Sequence, residues 1–74
     1  MNATDELLQQ AVIDELGEED TLSTTTIGVE VHNGFVRLLG TVHTLADRED
    51  ADAAVGRVGG VRGVFNDLRV EREI

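Results

Sequence analysis

The run Ile27-Gly28-Val29-Glu30-Val31-His32-Asn33-Gly34-Phe35-Val36-Arg37-Leu38-Leu39-Gly40-Thr41-Val42 constrains the fold more than any other part of the chain. Ile27, Val29 and Val31 alternate with Gly28, Glu30 and His32, and Val36, Leu38 and Val42 alternate beyond them. That period of two marks a pair of half-buried strands. Asn33-Gly34 between them suits a two-residue type I′ turn, in which both positions take positive φ. Counting outward from the turn opposes His32 to Phe35, Val31 to Val36, Val29 to Leu38 and Ile27 to Gly40. Both apolar sets then share one side of the hairpin, as a sheet buried on one face requires. Gly40 inside the series predicts either the close approach of a helix backbone or a bulge.

Helical patterns flank this hairpin. Leu8, Val12 and Leu16 recur every four residues, edged by Leu7, Ala11 and Ile13, and predict an amphipathic first helix. Thr4 is the expected N-cap, with Asp5 and Glu6 complementing the positive end of the helix. Gly17 is expected to end the helix in a left-handed conformation, ahead of an acidic loop reaching about Thr25. A second helix is expected from about Thr44, with Asp47 three residues on, and its stripe is Ala51, Ala54, Val55 and Val58. Gly59-Gly60 is the expected stop. Val64, Leu68 and Val70 then alternate as a third strand, with Asn66 on the same face. Because a strand–helix–strand crossover joins parallel strands, the third strand should lie parallel to the second. The expected fold is α+β, ordered αββαβ, with a three-stranded mixed sheet and both helices on one face. It fills a single domain over residues 1–74, with its core at about 5–71.

Charge narrows the partners. Fifteen acids oppose six arginines for a net −9, and residues 1–36 contain no base at all. Such a surface repels nucleic acid and disfavours anionic lipid, although membrane lipid stays on the list of partners. The opening Met1-Asn2-Ala3-Thr4-Asp5-Glu6 lacks the basic and apolar regions of a secretory signal, so the expected location is cytoplasmic. A chain excised from a longer precursor would instead be periplasmic or envelope-bound.

Chemistry-bearing residues are few. With no cysteine and two histidines eleven residues apart, His32 and His43, no zinc spacing exists. The glycines of Gly56-Arg57-Val58-Gly59-Gly60-Val61-Arg62-Gly63 follow a helix. Phosphate-binding loops precede one, so these glycines read as a helix stop and a turn. No nucleophile–base pair or cleft carboxylate pair can be assembled, so no catalytic residue, metal centre or cofactor is expected. Glu18, Glu19 and Asp20 offer hard oxygen ligands and are the candidates for a bound cation. Phe35 and Phe65 are the only large apolar groups expected to point outward. Arg57, Arg62 and Arg69 lie close enough in sequence to hold a partner's carboxylates or a phosphate.

These elements together resemble a known family. Ile27-x-Val29-x-Val31-x-Asn33-Gly34-x-Val36-x-Leu38-x-Gly40-x-Val42, then Arg48-x-x-Ala51, then Gly60-Val61-x-x-Val64-x-Asn66-x-Leu68-x-Val70 are similar to the pattern of the BON domain. This is a bacterial osmotic-stress and nodulation-type domain. Asn33, Gly34, Gly40 and Gly60 are the glycine-and-turn positions of that pattern. The resemblance implies a non-catalytic module proposed to attach proteins to phospholipid, found in periplasmic stress proteins and beside channel or secretin domains. Potassium binding is associated with one branch of the family. The expectation is an interaction module that is envelope- or phospholipid-associated and stress-related, or that serves as an accessory part of a larger assembly. Its expected contact surface is the open sheet face and the sheet edges, and self-association is among the modes considered. The alternative is a small cation-sensing domain using loop 17–25.

Overall fold

The hairpin forms in the register counted from its turn. A computed structural model of the chain describes residues 3–19 and 26–71. In it β1 (Thr26–His32) pairs antiparallel with β2 (Phe35–Val42), placing His32 opposite Phe35, Val31 opposite Val36, Val29 opposite Leu38 and Ile27 opposite Gly40. Asn33 and Gly34 have φ of 52° and 84°, as a type I′ turn demands. Two helices, α1 (Ala3–Gly17) and α2 (Leu45–Gly56), and a third strand, β3 (Gly63–Val70), complete the order αββαβ. β3 runs parallel to β2 from Phe35–Gly63 to Val42–Val70, which leaves β2 central.

Both helices cover the same sheet face. Leu8, Val12 and Leu16 from α1 and Ala51, Ala54 and Val55 from α2 form one cluster with Val29, Val31, Val36, Leu38, Val42 and Leu68. Alanines at 51 and 54 let α2 approach the strands closely, and both are fully buried. Thr44 caps α2 as expected, its Oγ1 accepting the Asp47 N–H at 3.0 Å.

Four local expectations need correction. α1 already begins at Ala3, so Thr4 lies within the first turn and is not its N-cap. Gly17 is the last helical residue and is not among the residues with positive φ. The helix instead tightens, with Glu18 N–H donating to Glu15 O (3.2 Å) and Glu19 N–H to Leu16 O (3.1 Å). α2 stops at Gly56, before Gly59-Gly60. Arg57 keeps helical dihedrals as the C-cap, and the left-handed step comes at Gly60, with φ 97°. Gly40 serves neither a helix approach nor a bulge. It is exposed and both ladders run unbroken through it, but its φ of 125° is one that a side chain would strain. Of the acidic loop, residues 20–25 lie outside the described residues.

Candidate interaction surface

The strand period that buries one face leaves the other uncovered among the described residues. Gly28, Glu30 and His32 on β1, Phe35, Arg37, Leu39 and Thr41 on β2, and Phe65, Asp67 and Arg69 on β3 turn away from the helices. Phe35 is 39% exposed and Phe65 59%. The parallel register sets Phe35 beside Gly63 and Arg37 beside Phe65, so the two rings meet on the diagonal. Their centroids are 6.2 Å apart and their planes are tilted by 38°, a favourable aromatic arrangement. Gly63 makes room for this packing, since a Cβ there would come within 3.0 Å of the Phe35 ring. Glu30, His32, Phe35, Arg37 and Phe65 line a shallow depression of about 420 Å³ around the pair.

Arg62 joins this patch from the rim. Its guanidinium carbon stands 5.2 Å from the Phe35 centroid, within cation–π range. Its backbone N–H donates to Gly34 O at 2.8 Å, and its stem lies across Gly34, where an added Cβ would meet Cγ and Cδ at 2.8 Å. The same turn is held from the helical side by Asp5. Asn33 N–H donates to Asp5 Oδ2 at 3.0 Å and Gly34 N–H to Oδ1 at 3.1 Å, with Asp5 only 3% exposed. Each hydrogen bond to an ionised group contributes about 1.5–3 kcal/mol. The turn beside the aromatic pair is therefore clamped on both sides.

The structure thus brings Phe35, Phe65 and Arg62 together, but it separates the arginines. Arg57 donates to Glu15 at 3.0 Å and also pairs with Glu19, and these two carboxylates, Glu15 foremost, raise its pKa above the ordinary value. Arg69 stands at the far end of the open face, in register with Thr41. Arg37 pairs with Asp67 at 2.7 Å, an exposed contact of small energetic weight. Among the cation candidates, Glu18 is exposed, Glu19 is turned to Arg57 and Asp20 lies outside the described residues. Among the described residues, no three histidine, aspartate or glutamate side chains gather as a metal ion would need. His32 sits at the turn end of the sheet and His43 beyond its other end. No described helix is long and apolar enough to cross a membrane.

The sheet edges, the other half of the expected surface, receive helix side chains. Gln9 donates to Val29 O at 2.9 Å on the β1 edge. Arg48 donates to Asn66 O at 2.9 Å and to Leu68 O at 3.1 Å on the β3 edge. The roles of Asp5, Gln9 and Arg48 did not emerge from the sequence reading. A signal for two of them was present: Asp5 falls three residues before Leu8, and Arg48 three before Ala51, so both occupy inward stripe positions where a charge needs a partner.

Comparison with known families agrees with this architecture. The BON domain model matches residues 4–72, and the chain belongs to the BON domain family. That family consists of non-catalytic domains associated with binding and interaction. Among curated proteins, none matches the chain.

Proposed function

We propose that this chain is a non-catalytic module that binds a protein partner through the turn end of its open sheet face, as an accessory domain of a larger assembly. The observation that carries this reading is the Phe35–Phe65 pair, exposed on the uncovered face and backed by a turn clamped between Asp5 and Arg62. Aromatic and arginine side chains are the groups that dominate binding energy at interfaces, most of all when held rigid. Charge favours the same face. Glu6, Asp14, Glu18, Glu49, Asp50 and Asp52 are exposed on the helical layer, while Arg37, Arg62 and Arg69 stand on the sheet face or its rim. Strands of seven, eight and eight residues make a face of about 400 Å². A standard interface buries ~800 Å² per partner. Contact through this face alone is accordingly transient, or part of a wider one.

The test is affinity capture from the source cell lysate with the wild-type chain and with Phe65→Thr, which keeps strand propensity while removing the ring. Proteins retained by the wild type should fall about tenfold with the variant, the effect of losing ~1.4 kcal/mol. Equal retention by both overturns the reading. Sedimentation with zwitterionic and with anionic vesicles runs in parallel. Pelleting that Phe65→Thr abolishes would move the partner from protein to lipid.

A further inference from the structure

We infer that Asn33-Gly34 is a latent modification site, an asparagine open to spontaneous deamidation that the Asp5 carboxylate keeps intact. An asparagine is most prone to this reaction before glycine, because no side chain hinders the glycine nitrogen. The Gly34 backbone nitrogen would attack the Asn33 side-chain carbonyl carbon, Cγ. A bond forms between them, the Cγ–Nδ2 bond breaks, and the Gly34 proton leaves with the amide as ammonia. The succinimide ring so formed is opened by one water at either carbonyl, which leaves aspartate or isoaspartate at position 33. No enzyme, oxidant or other reagent is needed, so only the fold can slow the reaction.

The fold opposes the first step at the attacking atom. Gly34 N–H donates to Asp5 Oδ1 at 3.1 Å, so losing that proton would set an anionic nitrogen against a carboxylate. Gly34 is buried and Asp5 is 3% exposed, so water does little to screen the two. The fold also opposes the rotation that would carry this nitrogen onto Cγ. Asn33 N–H is held by Asp5 Oδ2 at 3.0 Å, and Gly34 O accepts the Arg62 N–H at 2.8 Å. Both peptide groups around the reacting pair are therefore fixed, in a turn whose φ values of 52° and 84° follow from the β1–β2 register. The Asn33 residue itself is exposed, so protection comes from its neighbour's nitrogen and not from its own burial. Isoaspartate would add a backbone carbon to a two-residue turn, and either product would bring a second carboxylate close to Asp5. The step from that damage to a lost partner rests on the open-face reading above; the protection of Asn33 does not.

The experiment incubates the full chain at mildly alkaline pH and follows Asn33 by mass spectrometry of tryptic peptides, where deamidation adds one mass unit. Wild type is compared with the same chain unfolded in urea, with Asp5→Asn and with Thr44→Ala. Asp5→Asn keeps the size of the side chain and removes its charge. Thr44→Ala removes the α2 cap, far from the turn, and controls for a general loss of stability of about 1 kcal/mol. Far-UV circular dichroism checks that each variant is folded. In the folded wild type, Asn33 should convert at least ~tenfold more slowly than in urea, and folded Asp5→Asn should recover about tenfold in rate. Thr44→Ala should stay close to wild type. A wild type that converts as fast as the unfolded chain overturns the inference, as does a folded Asp5→Asn no faster than wild type. Equal acceleration by Thr44→Ala also overturns it, since global opening would then set the rate. If Asp5→Asn does not fold, Asp5→Glu decides, because it keeps the charge. Conversion of folded Asp5→Glu near the wild-type rate supports protection by the carboxylate, and conversion at the unfolded rate contradicts it.

Discussion

The two faces of one sheet, built from alternate residues of the same three strands, have opposite fates. On the inner face Val36 and Leu38 are fully buried and Val42 nearly so, under two helices. On the outer face Phe35 and Phe65, larger than any of these, remain in contact with water. Hydrophobic size does not decide which side chains are buried; strand parity does, together with the face on which the helices land. Large apolar groups held rigid on the uncovered side are then available for recognition. The inner face accounts for stability, and the outer face is the one we propose meets a partner.

The largest expected effect falls on the inner face. Leu38→Ala removes a fully buried side chain from the central strand and should destabilise the domain by about 2–5 kcal/mol. Cores of this size supply only ~3–5 kcal/mol in all. Urea unfolding monitored by circular dichroism should find much of the variant unfolded even without denaturant. Next comes the clamp that joins the two regions. Asp5→Ala leaves the N–H groups of Asn33 and Gly34 without their carboxylate and should cost about 2–3 kcal/mol by the same measurement. Raised exchange at the Gly34 amide would mark the loss as local to the turn. Gly40→Ala should cost about 1–3 kcal/mol through backbone strain, because its φ is 125°. A loss near zero would show that the strand relaxes there. Smaller still is the response to salt. Repulsion among the acids of the helical layer should ease as ionic strength rises, increasing stability by about 1 kcal/mol or less. An unchanged melting temperature between low and high salt would contradict that electrostatic picture.

How much of this was legible in the sequence differs between the two regions. The hairpin register, the Thr44 cap and the outward placement of Phe35 and Phe65 follow from local rules, and the parallel third strand from the crossover rule. Alternation, one turn dipeptide and one capping residue each act within a few positions of the chain. Helix ends were less legible: Gly17 continues a right-handed turn where a left-handed exit was expected, and α2 ends at Gly56, ahead of the expected stop at Gly59-Gly60, because a glycine permits either conformation. Long-range polar contacts were the least legible. Asp5 reads as a favourable charge at a helix start, yet its carboxylate caps a turn 28 residues further on. Glu15, just before Leu16 of the α1 stripe, meets Arg57 across the two helices. Such pairings depend on where the helices land, and periodicity carries no information about that.

The division between the faces is tested most directly by the unfolding free energy of Phe65→Thr in urea, set beside that of Leu38→Ala. The account predicts a loss below about 1 kcal/mol for Phe65→Thr, because a half-exposed ring is exchanged for another good strand former. A loss as large as that of Leu38→Ala would show that the outer aromatic pair belongs to the folding core, and would contradict the assignment of that face to a partner.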